Sequence, residues 1–467
     1  MPRSVRAVIQ RIVAASVVLA AASTALAAEE TAKPAHAFVD SIGVNTHYGN
    51  AANGAGNAYF NPLLDTKLAE LGIRHLRDHT WSDAGLARID ALYTTHGIRT
   101  NLILGETTSS PAQLVTLLTQ HPAYEAIEGL NEPDFGDPRT YTNAAGQTFT
   151  DDRPNNNYIA TRTFQNDLYA AFKADPQTSH IPVLSPAMGR SNRSHHLIPI
   201  GFDVAAMHNY PWAAGTTTHL PAAGVDTALA DMAALRGTKP LWATETGYFN
   251  RSSTDNRLVP ESVSAKYVPR LFGEYFNRGI PRTYLYELAD QGPSTTAREE
   301  NFGLLRFDLS EKPAFTAMKN LIDLLEEPAG AGGGGGDSNP AALDYTLTGA
   351  AADLAKVHHT LLQKADGRFY LMLWQEVASY NRPNVVVNNP VNLTLQLNDP
   401  FAAARIYLTN QSLTPTGTFV NPTSINLNVP DEMLVVELTP IPEPAGAAIL
   451  AITGAFLLRR WRRSGVA

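Results

Sequence analysis

The sequence predicts an α/β protein: a (β/α)8 TIM barrel followed by a small all-β sandwich domain. Strand-like and helix-like stretches alternate from residue 38 to residue 327, as a parallel sheet wrapped by helices requires. Beyond a glycine run the pattern changes to short, partly alternating apolar runs separated by turn residues. A chain of 467 residues also exceeds one compact core of ordinary size, so two domains are expected.

The ends read as targeting segments. Arg3, Arg6 and Arg11 precede or open an apolar run from Ile12 to Leu26, and Ala25-Leu26-Ala27 supplies a small-residue cleavage site. Residues 1–27 are therefore expected to be a secretory signal peptide. In residues 441–467, Pro442-Glu443-Pro444 is followed by an apolar run from Ala445 to Leu458 and by Arg459-Arg460-Trp461-Arg462-Arg463. The run falls short of the ~20 residues of a spanning helix and comes close when counted from Ile441. Its arginines would stay on the cytoplasmic side. This ending resembles the PEP-CTERM sorting signal of exopolysaccharide-producing Gram-negative bacteria. The resemblance implies an exosortase-type partner, transient contact with the inner membrane, cleavage near the motif, and delivery to the cell surface or beyond. Retention of the tail as a permanent anchor is the alternative, and both place the body outside the cytoplasm.

Composition narrows the function classes. Hydrophobic residues make up 44% and aromatic residues 8%, which suits a well-packed globular protein. Cysteine is absent, so disulfides and thiolate metal sites are excluded. Losing the signal and the tail would reduce Lys+Arg from 36 to 29, leaving a clearly acidic body. Such a body should not bind nucleic acid non-specifically.

Taken in order, residues 29–37 form a polar leader without pattern. Eight strands are then expected at Ser41–Asn45, Ile73–Arg77, Arg99–Leu104, Ala126–Leu130, Ile181–Ser185, Asp203–Met207, Lys239–Ala243 and Thr283–Tyr286. Helices are expected at Pro62–Leu71, Ala84–His96, Pro111–Gln120, Tyr158–Ala174, Val225–Leu235, Ser262–Arg278 and Pro313–Leu325. Long loops follow strand four (Asp134–Asn156) and strand seven (Phe249–Pro260), on the face where such barrels carry their sites. Residues 328–340, with glycine unbroken from Gly332 to Gly336, read as a linker. Residues 341–440 read as the sandwich, with runs at Arg368–Trp374, Asn384–Val387, Asn392–Leu397, Arg405–Leu408, Ser424–Val429 and Met433–Leu438.

The strand ends carry the chemistry. Strand four runs into Asn131-Glu132-Pro133, where the proline ends the ladder and pushes Glu132 into an extended or turn conformation. Strand seven ends at Glu245, so two strand-end glutamates stand ready as the carboxylate pair of glycosidic bond cleavage. Strand one ends Gly43-Val-Asn-Thr-His47, strand two His75-Leu-Arg-Asp78, strand six His208-Asn-Tyr210-Pro-Trp212, and strand eight Tyr284-Leu-Tyr-Glu287. Aromatic rings for apolar sugar faces, beside groups that bond hydroxyls, describe a sugar site. Each residue also has a structural reading. Glu245 could be a salt-bridge partner, Arg77 could pair only with Asp78, His47 could be a core histidine, and Trp212 could pack a loop. His195-His196 and His358-His359 are expected to be solvated loop residues, since adjacent side chains diverge and no H-E-x-x-H accompanies them. No metal and no cofactor is expected, because no P-loop, dinucleotide fingerprint or nucleophile elbow is present.

On these residues, the stretch from about Val39 to Leu325 resembles a retaining glycoside hydrolase of clan A, the superfamily that includes families 5 and 39. The following domain resembles the β-domain of many family 39 and family 30 relatives. The resemblance implies Glu132 as acid/base and Glu245 as nucleophile. It implies Asn131 on the substrate 2-hydroxyl, His208 and Tyr210 in substrate contact and hydrogen bonding to the nucleophile, and Arg77 keeping Glu245 ionised. Where many clan members place a tryptophan after strand eight, this chain has Tyr286 and Glu287, which join His47 and Trp212 as candidate substrate contacts. The expected function is an exported retaining β-glycosidase acting on a polysaccharide or oligosaccharide. The competing expectations are a barrel that binds glycan without cutting it and a structural matrix protein.

Overall fold

The computed structural model describes residues 23–49, 58–79, 82–327 and 339–442. Most of the signal segment, most of the glycine-rich linker and nearly all of the sorting tail lie outside these residues. Among the described residues no helix is long and apolar enough to cross a membrane.

All eight expected barrel strands form: Ile42–Asn45, His75–Asp78, Arg99–Leu104, Tyr124–Leu130, Val183–Leu184, Ala205–His208, Leu241–Thr246 and Thr283–Leu285. They make one parallel sheet in the spatial order 6-7-8-1-2-3-4-5. The seam between strands five and six is closed by a single Leu184–Val204 bridge and by Ser185 N–H donating to Val204 C=O at 2.9 Å. Burial of nearly every strand residue explains why the strands read as apolar runs rather than as alternating ones.

The seven expected helices form as well, two of them with side-chain N-caps. Ser110 and Gln113 build a reciprocal capping box at Pro111–Gln120, while Ser82 accepts from Gly85 N–H at the start of Asp83–His96. Strand five differs, being followed by a 3-10 helix, Ser191–Leu197, tied to the helix Val225–Arg236 by Ser191 Oγ–H donating to Asp231 at 2.7 Å. The long loop after strand four folds into a hairpin, Thr140–Thr142 against Thr148–Thr150.

Two antiparallel sheets form the β-domain. The first pairs Ser23–Thr31, Ala342–Ala350, Val391–Leu397 and Ser424–Val429 in that order. The second contains Val357–Gln363, Phe369–Gln375, Leu434–Pro440 and Phe401–Leu408 as its central strands. Phe369–Gln375 is buried throughout because its two faces enter different cores. Phe369, Leu371 and Leu373 join the sandwich interior, while Tyr370, Met372 and Trp374 join the core that runs into the barrel. The domain is thus welded to the barrel through a shared apolar layer.

Several sequence expectations change here. Residues 29–37 are not patternless: Ser23–Thr31 is an edge strand paired along its length with Ala342–Ala350, and Ala35–Asp40 is helical. Backbone pairing holds Ser23–Thr31, while Ala32, Ala35, Phe38 and Val39 seat the residues that follow in the two cores. Pairing from Ala28↔Tyr345 to Thr31↔Ala342 lies beyond the expected cleavage point. His358 and His359 are strand residues bonded to Glu274 at 2.6 Å and Glu30 at 3.0 Å, not loop residues. His195 and His196 do not diverge; their ring centroids stand 3.9 Å apart on the 3-10 helix.

Candidate active site

Glu132 leaves strand four in a tight turn. Asn131 N–H donates to Leu104 C=O at 2.8 Å, Glu132 N–H to Ala187 C=O at 2.9 Å, and Phe135 N–H to Glu132 C=O at 2.9 Å. Between these anchors Glu132 adopts φ 40°, a left-handed conformation uncommon for a residue with a side chain. The extended bias of a residue before proline is overruled by the flanking hydrogen bonds. Glu245 lies near the end of strand seven, between fully buried Thr244 and Thr246.

Arg77, buried on strand two, is the hub between them. Its Nε and Nη2 donate to Glu128 at 2.8 and 3.1 Å, in a side-by-side pair. Nη1 donates to Asn45 Oδ1 at 2.8 Å and to Glu245 Oε1 at 2.7 Å, and Nη2 also donates to Asn131 Oδ1 at 3.0 Å. The Arg77 interaction is therefore with Glu128 and Glu245. Its sequence neighbour Asp78 points elsewhere and accepts from Thr46 Oγ1–H and Tyr48 N–H, each at 2.7 Å.

The second oxygen of Glu245 accepts from Tyr210 O–H at 2.8 Å, and His208 Nδ1 stands 3.5 Å from it. The same Nδ1 is 2.9 Å from Glu132 Oε1, so His208 bridges the two glutamates. Burial pushes the Glu245 carboxyl up, but the charges of His208 and Arg77 and the Tyr210 hydrogen bond outweigh it and hold the group below the ordinary carboxylate value. Burial pulls His208 down, and the two facing glutamates outweigh it, leaving its pKa raised. One ligating atom each of Glu132, His208 and Glu245 lie within 4.8 Å of one another. A cation could be spanned by that set on distance alone. However, Glu245 already accepts from an arginine and a tyrosine, and the Arg77 charge sits beside it, which disfavours a second cation.

These residues floor a cleft of about 1360 Å³. Asn131, Arg77, His47, His208, Tyr210, Trp212 and Tyr286 line it together with both glutamates. Tyr210, Trp212 and Tyr286 belong to an aromatic wall completed by Phe249 and Phe302, with ring centroids 5.1–6.3 Å apart. Trp212 is also covered by the Arg257 guanidinium at 4.4 Å, so it packs loops and lines the cleft at once. Glu287 alone among the expected contacts does not reach the cleft lining. It is fully buried, 2.9 Å from His47 Nε2, and accepts from Tyr59 O–H at 3.2 Å. Its carboxylate supports His47 from behind, as expected when adjacent strand-end residues face opposite sides.

The sequence reading passed over Glu128, Asn45 and Phe135. An acid inside the otherwise apolar strand Tyr124–Leu130 was the available signal for Glu128, since a buried carboxylate demands a partner. Phe135 lies in the cleft and is 38% exposed, beside Gly189 and Arg190.

No family model and no curated protein matches the chain by sequence. Solved structures do match by shape. A family 39 glycoside hydrolase from the gut symbiont Bacteroides cellulosilyticus WH2 aligns with a TM-score of 0.51 at 15% identity, over 87% of this chain and 81% of that one. A glucosidase from Croceicoccus marinus aligns with a TM-score of 0.57 at 9% identity, over 90% of this chain and 99% of that one. The structural neighbours are glycoside hydrolases. At these identities the likeness is one of fold: a barrel followed by a β-domain.

Proposed function

We propose that this protein is an exported retaining β-glycoside hydrolase that cuts a surface or environmental polysaccharide or oligosaccharide. Glu132 is the acid/base and Glu245 the nucleophile. The observation that carries the reading is the asymmetry of the pair. Glu245 is held ionised by Arg77, Tyr210 and His208, whereas Glu132 stands across the cleft, more exposed, with His208 as its side-chain hydrogen-bond partner among the described residues. Their separation also supports it. One oxygen of each lies within 4.8 Å of the other, a close approach in keeping with the ~5–5.5 Å carboxyl spacing of retaining enzymes.

In this reading Glu132 protonates the departing glycosidic oxygen while Glu245 attacks the anomeric carbon. Glu132 then takes a proton from water as the glycosyl–Glu245 ester opens. Asn131 has its Oδ1 engaged by Arg77, which directs its amide N–H groups toward a substrate hydroxyl. Export rests on the sequence features of the two ends, and the fold likeness to the family 39 enzyme supports the reaction class.

The test is incubation of the protein with aryl β-glycosides and a panel of polysaccharides, following product release and the anomer first formed. Cleavage with retention that vanishes in Glu245→Ala supports the proposal. Binding of a polysaccharide with no cleavage would favour the non-catalytic glycan-binding alternative.

A further inference from the structure

We infer that Phe135 and Arg190 form a subsite for a sugar ring on the leaving-group side of the scissile bond, so that the natural substrate is a glycan cut between two sugars. The inference rests on the proposed glycosidase function and adds to it the residues that hold the sugar expelled.

Position comes first. The leaving oxygen must lie within hydrogen-bond reach of the acid, so the group attached to it lies on the Glu132 side of the cleft. Phe135 belongs to the same turn as Glu132, its N–H bonded to the Glu132 carbonyl at 2.9 Å. The aromatic wall of Tyr210, Trp212 and Tyr286 gathers instead around the nucleophile, where Tyr210 bonds Glu245. Aromatic surface thus stands beside each of the two glutamates.

The site is also built, not incidental. A large apolar side chain left 38% exposed in the cleft keeps apolar surface in water, and a stacked sugar face would cover it. Gly189 makes the ring's place possible. A Cβ there would stand 2.0 Å from Phe135 Cε2 and 3.1 Å from the Glu132 carboxyl carbon, so any side chain at 189 would displace both. Gly189 is itself held by its N–H donating to Asp134 Oδ1 at 2.8 Å. Over the Phe135 ring lies the Arg190 guanidinium, 4.4 Å from the centroid. Its carboxylate contact with Asp134 is a long 3.7 Å, and its side chain is 48% exposed, which leaves N–H donors facing the cleft for sugar hydroxyls. With one face of the ring taken by the guanidinium, a sugar would meet the ring's remaining exposed surface and the arginine's N–H groups together.

The test compares leaving groups. For the wild-type protein, Phe135→Ala and Arg190→Ala, kcat/KM is measured on an oligosaccharide that the wild type cleaves and on the matching glycosyl fluoride, which expels no sugar. The oligosaccharide-to-fluoride ratio should fall roughly tenfold or more in Phe135→Ala and fall also in Arg190→Ala. Transfer of the glycosyl group to an added sugar acceptor should drop in parallel, since the acceptor occupies the same place. An unchanged ratio in both variants overturns the inference while leaving the glycosidase reading intact. Failure of the wild type to cleave either substrate overturns the proposed function itself.

Discussion

Arg77 meets Glu128 in a two-pronged pair, 2.8 and 3.1 Å, at the centre of the barrel and beneath the nucleophile. The relationship explains how one arginine serves Glu245 without being drawn onto it. Glu128 fixes the plane of the guanidinium, Asn45 and Asn131 take further donors, and a single Nη1–H remains aimed at Glu245. Asn101 donates at 2.9 Å to the same Glu128 oxygen that accepts from Arg77 Nε, so the supporting carboxylate is itself held in place.

Removing that support is therefore expected to cost stability as well as activity. Glu128→Ala leaves a buried guanidinium short of its principal partner, and breaking a buried pair in this way costs about 3–5 kcal/mol. Urea denaturation of the variant should show a loss of that order, with weaker turnover at all pH values. A loss below about 1 kcal/mol, within the range of an exposed pair, would show that the network does not anchor Arg77.

Tyr210→Phe tests the electrostatics of Glu245. Burial raises this carboxyl, and His208, Arg77 and the Tyr210 hydroxyl bring it below its ordinary value. Without the hydroxyl the pKa rises. Because the nucleophile must be ionised, the acidic limb of kcat/KM should move to higher pH while the alkaline limb stays. Loss of a hydrogen bond to a charged group should also lower kcat/KM roughly 10- to 100-fold. An acidic limb left in place would mean that another group titrates there.

The barrel was legible because burial on both faces gives each strand a near-continuous apolar run. The strand-end glutamates, Arg77, His208 and Tyr210 were legible for the same reason: they interrupt apolar runs where strands stop. Val357–Gln363 was not. Its His358 and Thr360 look like solvent-facing residues, yet they meet Glu274 and Asn277 on a barrel helix. Polar residues that face another domain carry the pattern of polar residues that face water. Glu287 misled for a related cause, since a charged residue at a strand end can point behind the site as readily as into it.

That same interface should give the protein a pH-dependent stability. On the helix Glu261–Asn277, Glu274 accepts from His358 and from Trp374 Nε1–H at 2.9 Å. The hydrogen bond to Glu274 raises the His358 pKa against an opposing desolvation. A raised histidine contributes its stability fully below its unfolded pKa of about 6.5, and the contribution is lost as pH rises through the folded value. The wild-type midpoint should thus be higher at pH 6 than at pH 8 by more than that of His358→Gln. Equal differences in the two proteins would exclude this pair as the source.

The β-domain is expected to act as structural support for the barrel, without an independent sugar-binding role. Fully buried Arg270 on the same helix donates to Glu376 at 2.8 and 3.1 Å and to the carbonyls of Val377 and Asp431 at 3.0 and 3.1 Å. Cut away from the barrel, the domain would expose Tyr370, Met372 and Trp374 together with those carbonyls. Expression of residues 339–442 joined to the 23–34 strand segment, without the barrel, should yield insoluble or unfolded chain. A stable soluble fragment that binds polysaccharide contradicts the expectation.

The roles of the two glutamates differ in kind, and azide separates them. With Glu132→Ala, a substrate bearing a good leaving group, such as a dinitrophenyl β-glycoside, needs no acid and should still glycosylate Glu245. The ester then persists, because water has lost its base. Azide needs no base and fits the space vacated beside His208, so it should restore turnover and give the β-glycosyl azide. With Glu245→Ala the acid remains and the nucleophile is missing. Azide then attacks from the vacated face, next to Arg77 and Tyr210, and should give the α-anomer. Rescue of both variants with the same anomer, read by NMR of the product, would refute the assignment of acid/base to Glu132 and nucleophile to Glu245. Rescue of neither would refute it as well, since each vacated carboxylate lies in a cleft large enough to admit the anion.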